Sequence, residues 1–166
     1  MKRIFRLGTI CTLLMGVLMG CGSSVTVKSE SLDYNIQDIY DALEEVNPIS
    51  NPRQIDDYSI ETDFGIAKDD MVTEYVGSIS NTMSNSGLIL VIKTVDKKAA
   101  DVETLLKTYK ENQKSYFSNY PEFQDAMENV SNGIITVKGN YVVIVFANTE
   151  GANYEDINQV ISDVLK

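Results

Sequence analysis

Histidine is absent from this chain and cysteine is scarce. None of the 166 residues is a histidine, and only Cys11 and Cys21 are cysteines. The lack of histidine excludes Ser-His-Asp and Cys-His catalysis, His-ligated zinc and haem with an axial histidine. Because both cysteines lie near the N-terminus, the rest of the chain has no thiol and no disulfide, and its core must hold it together.

Basic residues are also few. The chain has 14 Lys and Arg against 24 Asp and Glu, which gives a net charge of −10. A chain with this charge is not expected to bind nucleic acid or an anionic bilayer by electrostatic attraction. The imbalance is greatest over residues 31–75, where twelve acidic side chains accompany only Arg53 and Lys68.

The N-terminus is basic and then apolar. Lys2, Arg3 and Arg6 precede the uncharged stretch LGTICTLLMGVLMG, residues 7–20. This order is typical of a secretory signal peptide. Since the apolar stretch is shorter than the roughly 20 residues of a membrane-spanning helix, we expect residues 1–20 to be a signal peptide that is removed.

The end of this region, Leu18-Met19-Gly20-Cys21, resembles the bacterial lipobox, in which an aliphatic, a variable and a small residue precede a cysteine. The resemblance implies cleavage between Gly20 and Cys21, a diacylglyceryl thioether on Cys21 and a lipid on its new N-terminus. Two acyl chains hold a protein at a membrane durably, whereas one gives marginal binding. The alternative is a chance cysteine after an apolar stretch. We expect a lipoprotein on the outer face of the cytoplasmic membrane.

Downstream, the pattern predicts a lipidated cysteine with a flexible tether, residues 21–34, and a single domain, residues 35–166. The segment GSSVTVKSES is small, polar and aperiodic, as flexible linkers are. Residues 47–68 are predicted to be an irregular connection. Amphipathic helices are predicted over residues 35–46, 97–119 and 153–166, with shorter helices in DDMVTEYV and PEFQDAMENV.

Two hairpins separate these helices. The first joins GSISNT to LILVIKTV, and the second joins GIITV to YVVIVFA around Gly139 and Asn140. LILVIKTV is apolar on both faces, which is typical of a central strand. The order predicts an α+β fold, with a mainly antiparallel sheet of about four strands packed with amphipathic helices.

This order of segments resembles that of a family of bacterial lipoproteins, domain-of-unknown-function family 4358, found mainly in Gram-positive bacteria. The resemblance runs from about Ile36 to Ala147 and rests on IQDIYDAL, on FGI ahead of DDMVTEYV, on LILVIKTVDKKAADVETLLKTYKENQ and on GIITVKGNYVVIVFA. It implies a lipoprotein with an α+β fold. Because the family has no assigned activity, it implies no functional residue.

The segment IDDYSIETDFG, residues 55–65, gathers four carboxylates, at Asp56, Asp57, Glu61 and Asp63. Oxygen ligands of this kind bind Ca²⁺, but their spacing does not match the EF-hand loop. We favour a solvated acidic loop over a cation site.

Three lysines, Lys107, Lys110 and Lys114, form a stripe on the predicted helix 97–119. One interpretation is a binding site for an anionic ligand. The other is an ordinary exposed helix face, because Glu103 is placed to pair with Lys107 four residues later. We favour the exposed face.

Five aromatic residues are clustered in sequence: Tyr109, Tyr116, Phe117, Tyr120 and Phe123. One interpretation is a stacking surface for sugars of the cell wall, and the other is core packing. We favour core packing, because most of the five lie on or beside the apolar stripe of the predicted helix.

The chain has no Gly-rich phosphate loop and no nucleophile elbow, and we predict no catalytic residue, metal ligand or cofactor. These observations favour a non-catalytic, lipid-anchored module that binds a protein, a glycan or a small solute outside the cell. The alternative is a surface hydrolase of wall glycans, which would need two carboxylates within roughly 5 to 9.5 Å.

Overall fold

Two strands inside the sheet, Leu88–Thr94 and Tyr141–Phe146, have buried side chains on both faces. The computed structural model describes residues 33–148 and 153–166. Its strands are β1 (Pro52–Gln54), β2 (Val72–Ser80), β3 (Leu88–Thr94), β4 (Ile134–Lys138) and β5 (Tyr141–Phe146). They form one antiparallel sheet in the order β1-β2-β3-β5-β4. The predicted α+β fold is confirmed, and the short edge strand β1 adds to the four expected strands.

The helices of the described residues are α1 (Ile36–Val46), α2 (Asp57–Thr62), α3 (Lys68–Met71), α4 (Ala99–Ser118), α5 (Gln124–Asn132) and α6 (Tyr154–Val164). A 3₁₀ turn, Pro121–Phe123, leads into α5. Asn35 and Asn153 begin α1 and α6, because each side chain accepts a hydrogen bond from backbone N–H groups of the first turn. The predicted helices 35–46, 97–119 and 153–166 are thus confirmed to within two residues at each end.

The two faces of the sheet are covered by helices from different parts of the chain. On one face, α1 and α6 pack against Ile89 and Val91. On the other face, α2, α4 and α5 pack against Leu88, Leu90 and Ile92. All five of these β3 side chains are fully buried, which confirms the prediction of a strand that is apolar on both faces.

The prediction that residues 47–68 form an irregular connection is wrong in two places. β1 pairs with β2 at the edge of the sheet, where Pro52 is tolerated at the start of a strand. α2 begins at Asp57, because the Asp56 side chain accepts a hydrogen bond from the N–H of Ser59 at 2.8 Å.

The predicted helix in DDMVTEYV is also wrong. Only the single turn α3 is helical there, and β2 begins at Val72. Valine, threonine and tyrosine fit a pleated surface better than a short helix, and the pairing of Val72 with Thr94 and of Tyr75 with Ile92 extends the sheet. Pairing with β3 therefore overrides the helical spacing of this segment.

The described chain starts and ends at the same end of the sheet. The N–H of Tyr34 donates to the Tyr141 hydroxyl at 2.9 Å, and the Tyr34 hydroxyl donates to the carbonyl oxygen of Lys166. Asp33 forms an ion pair with Lys93 at 2.9 Å. The first described residues, Asp33 and Tyr34, are thus fixed beside one end of β3 and of β5.

The predicted cleavage and lipidation site, Gly20 and Cys21, lies outside the described residues. Among the helices that are described, none is long and apolar enough to cross a membrane.

Candidate functional site

A cleft opens between α4 and the loop that joins β2 to β3. It consists of two adjoining depressions of about 280 and 420 Å³, which share the side chains of Arg53, Ile79, Tyr109 and Gln113. We call it the α4 cleft. Its other lining residues are Ser80, Asn81, Thr82, Met83, Asn85, Ser86, Tyr116, Phe117 and Phe146 in the smaller depression, and Asp63 and Asn112 in the larger.

One wall of the cleft is a single face of α4. Tyr109, Gln113 and Tyr116 follow each other at i, i+4 and i+7, which places them in a row along the helix. Tyr109 is buried, Gln113 is half-buried and Tyr116 is 40% exposed. The row therefore runs from the core out to the mouth of the cleft.

Tyr109 lies where the two depressions meet. Its ring packs against Phe64, with centroids 4.4 Å apart, and stacks on Phe146 at 6.2 Å. The Tyr109 side chain has no hydrogen-bond partner among the described residues. Since no fully buried side-chain nitrogen or oxygen in this part of the chain lacks a partner, the Tyr109 hydroxyl must reach the surface of the cleft.

Burial raises the pKa of the Tyr109 hydroxyl. The group therefore stays neutral at physiological pH, where it is able to donate and to accept a hydrogen bond. Most buried polar groups already have such a partner within the protein. The Tyr109 hydroxyl is thus available to a molecule in the cleft.

The opposite wall is the loop of residues 81–87. The N–H of Ser80 donates to the carbonyl of Gly87 at 2.8 Å, and the N–H of Gly87 donates to Asn85 Oδ1 at 2.8 Å. The buried Ser86 hydroxyl donates to the carbonyl oxygen of Ala147 at 3.0 Å. These bonds hold the loop against the sheet and leave Met83, which is 71% exposed, at its tip.

Among the described lining residues, the only charged side chains are those of Arg53 and Asp63, at one end of the cleft. Arg53 donates to the Ser59 hydroxyl at 2.8 Å, and its guanidinium lies 3.5 Å from the Asp63 carboxylate. One cation and one anion face each other, so the lining as a whole is neutral.

The aspartates of the acidic segment 55–65 each contact different partners. Asp56 caps α2, and this bond with Ser59 holds the pKa of Asp56 below its usual value. Asp57 accepts a hydrogen bond from Tyr75 at 2.6 Å and pairs with Lys68 at 3.1 Å. Within the described ranges, no three acidic residues are grouped so that they could hold a metal ion.

The lysine stripe does not form a single site. Lys107 pairs with Glu103 at 2.7 Å, which confirms the predicted pair. Lys110 donates to the carbonyl of Gly133 at 2.6 Å, and partial burial lowers the pKa of this lysine. Lys114 is exposed. Two of the three lysines are therefore engaged within the fold.

The aromatic cluster divides between the core and the surface. Core packing is confirmed for Tyr109 and Phe117, which are buried. It is wrong for Tyr116 and Tyr120, which are 40% and 42% exposed and have ring centroids 5.5 Å apart. Tyr120 lies beyond the end of α4, and Phe123, half-buried, packs against it.

Sequence reasoning singled out Tyr109 and Tyr116 but missed Arg53, Asn81 and Met83. Arg53 belongs to β1, which reaches the cleft by pairing with β2. Asn81 and Met83 belong to the loop after β2, which is hydrogen-bonded back onto the sheet. No local pattern marks such residues. The predicted hairpin indicates a turn between GSISNT and LILVIKTV but not what that turn faces.

A search of curated proteins and a search of solved structures found no match to this chain. The model of one family, a domain of unknown function (DUF4358), matches residues 44–147. The match covers well over half of the chain and includes both walls of the α4 cleft, from Arg53 to Phe146. The chain therefore belongs to the DUF4358 family.

Proposed function

We propose that this protein is a lipid-anchored, extracytoplasmic binding module, which holds its ligand in the α4 cleft without catalysis. The observation that carries the proposal is the Tyr109 hydroxyl, which is set in the core, reaches the cleft and has no partner among the described residues. Ligand pockets commonly combine an apolar lining with a few polar groups of this kind.

The anchor is supported by the order of residues 1–21, which end in Leu18-Met19-Gly20-Cys21. The first described residues are fixed beside Lys93 and Tyr141, whereas the cleft lies at the other end of these strands, beside Phe146. The cleft is therefore remote from the first described residues.

The alternative, a hydrolase of wall glycans, has less support. The described lining contains one carboxylate, Asp63, and it is paired with Arg53 at 3.5 Å. A glycosidase of this type needs two carboxylates that flank the scissile bond. The contents of the cleft favour binding over hydrolysis.

Metabolic labelling with a fatty-acid analogue tests the anchor. We expect the full chain to become labelled and to fractionate with membranes, and the Cys21→Ala variant to do neither. Cys11→Ala is the matched control and keeps the label. Label that persists in the Cys21→Ala variant would refute the lipid anchor.

Photocrosslinking on intact cells tests the cleft. A photoreactive amino acid in place of Tyr116 is expected to capture wall or envelope material. The same amino acid in place of Tyr58, which is 70% exposed and does not line the cleft, is the control. Equal capture at both positions would count against the α4 cleft as the binding site.

A further inference from the structure

The ligand of the α4 cleft is identified by the chemistry of its lining. We infer that it is an uncharged sugar chain. This inference rests on the proposed function, because it names the ligand class of the same site.

Charge is the first discriminating property. Arg53 and Asp63 lie 3.5 Å apart and offset each other, so the lining has no net charge that would hold an anion or a cation. The whole chain carries a net charge of −10, which further disfavours an anionic ligand. A neutral ligand fits this lining best.

Hydrogen bonding is the second discriminating property. The Tyr109 hydroxyl and the Gln113 amide, one helical turn apart, both donate and accept hydrogen bonds, and neither side chain has a partner among the described residues. A purely apolar ligand would take both away from water and leave them unpaired, which is costly. Sugar hydroxyls also donate and accept, so they satisfy both groups.

Apolar contact is the third discriminating property. The exposed ring of Tyr116 and the exposed side chain of Met83 line the same depression. An aromatic ring supplies a large apolar contact area, and a flexible, polarizable thioether adapts to the shape of a ligand. A pyranose ring has one face of C–H groups that fits such a surface, while its edge carries the hydroxyls that Tyr109 and Gln113 require.

The shape of the cleft favours a chain over a single sugar. The two depressions, of about 280 and 420 Å³, adjoin along the row of Tyr109 and Gln113. Pockets of this size are typical of ligands larger than one small ring. We therefore expect several sugar units to occupy the cleft.

An extended peptide fits less well. Peptides commonly bind by adding a strand to a free sheet edge, and the edge nearest the cleft is β1. That strand has three residues and begins with Pro52, which has no N–H to donate. Its edge is thus a poor template for another strand.

Binding of tetrasaccharides tests the inference. The full chain, held in a polyoxyethylene detergent that contains no sugar, is titrated with two uncharged probes, chitotetraose and maltotetraose, and followed by calorimetry. We expect saturable binding of at least one of them. Tyr109→Phe should weaken it about fivefold, the equivalent of one hydrogen bond, and Tyr116→Ala about tenfold. Tyr58→Ala, a tyrosine outside the cleft, should leave the affinity unchanged.

Two comparison ligands separate failure of the inference from failure of the proposed function. If tetra-alanine or inorganic phosphate binds, with a loss of affinity in the Tyr116→Ala variant, and neither tetrasaccharide does, the sugar inference is overturned and the cleft remains the binding site. Tetrasaccharide binding that is insensitive to Tyr109→Phe and Tyr116→Ala also overturns it. If no probe binds, the inference fails, and the crosslinking experiment at position 116 decides the proposed function separately.

Discussion

The rings of Tyr109 and Phe146 stack in parallel, with planes 5° apart and centroids 6.2 Å apart. This contact joins the middle of α4 to the end of β5, and it fixes the side chain at the junction of the two depressions. The ring of Tyr109 thus belongs to the core while its hydroxyl serves the cleft. The two roles are separable by substitution.

Removal of the Tyr109 hydroxyl is expected to leave stability almost unchanged. In the Tyr109→Phe variant no internal hydrogen bond is lost, so the free energy of unfolding should change by no more than about 0.5 kcal/mol. Tyr154→Phe is the contrasting variant, because the Tyr154 hydroxyl accepts from the N–H of Ala147 at 3.0 Å and donates to the carbonyl of Asn129. Loss of the Tyr154 hydroxyl should lower the free energy of unfolding by about 1–3 kcal/mol. Urea denaturation measures both, and an equal loss in the two variants would contradict an unpartnered Tyr109.

Gly77 is expected to tolerate no side chain. A Cβ at this position would lie 2.5 Å from the carbonyl oxygen of Ile89 and 2.9 Å from Cδ1 of Ile55. Since the first of these atoms belongs to the backbone of β3, Gly77→Ala should cost about 1–3 kcal/mol through overpacking. The measurement is the shift of the urea midpoint.

The control for this substitution is Gly65→Asn. Gly65 has φ of +67°, and a Cβ there would meet nothing within 4 Å. Asparagine tolerates the left-handed region, so the control should lose much less stability than Gly77→Ala. A larger loss of stability in Gly65→Asn than in Gly77→Ala would show that the close approach of the β3 backbone does not explain the glycine at position 77.

Tyr75 is expected to make stability fall at alkaline pH. Burial and the hydrogen bond to Asp57 raise the pKa of Tyr75 to about 12 from 10.0. The unfolded chain therefore loses this proton first, so the contribution of Tyr75 is fully present below pH 10.0 and is lost as the pH rises toward 12. The hydrogen bond between Lys68 and Asp57 raises the pKa of the lysine as well.

Comparison with Tyr75→Phe isolates this contribution. Between pH 10.0 and about 12, the free energy of unfolding should fall more steeply with pH in the unmodified protein than in the variant. Tyrosinate absorbance provides an independent readout, because the titration step of Tyr75 is missing in the variant. If the free energy of unfolding falls equally steeply with pH in both proteins, the pKa of Tyr75 is not raised by folding.

The attachment of Tyr34 is expected to depend on Tyr141. In the Tyr141→Phe variant the N–H of Tyr34 loses its acceptor, which lies at 2.9 Å in the native fold. Hydrogen exchange at the Tyr34 amide should therefore accelerate. The amide of Val142, within the β3–β5 pairing, should change less. Unaltered exchange at Tyr34 would show that another contact holds this segment.

The parts of the fold that could be predicted are those in which spacing alone determines the structure. The apolar stripe of α4, the double-faced apolar strand β3 and the caps at Asn35 and Asn153 are all local patterns with a physical cause. β1 and α2 were missed because a three-residue edge strand and a two-turn helix leave little periodicity. The start of β2 was missed because Val72 and Tyr75 follow the demands of pairing with β3.

The α4 cleft was less predictable than the fold. Tyr109 belongs to the helical stripe, and nothing in that stripe reveals that its hydroxyl lacks a partner. Arg53 reaches the cleft only because β1 pairs with β2, and Met83 does so because the loop of residues 81–87 is bonded back onto the sheet. Each of these relations joins distant parts of the chain, so the local pattern carries no sign of them.

The pairing of α1 with α6 has a consequence for the order in which the protein acquires its structure. Ile157 and Ile161 of α6 belong to the same core as Ile36 and Ile39 of α1, so these two helices close one face of the sheet together. That face stays open until both helices have been made, because contacts between distant segments form only after both segments exist. This face of the sheet therefore closes late in folding, after both helices are available to pack against Ile89 and Val91.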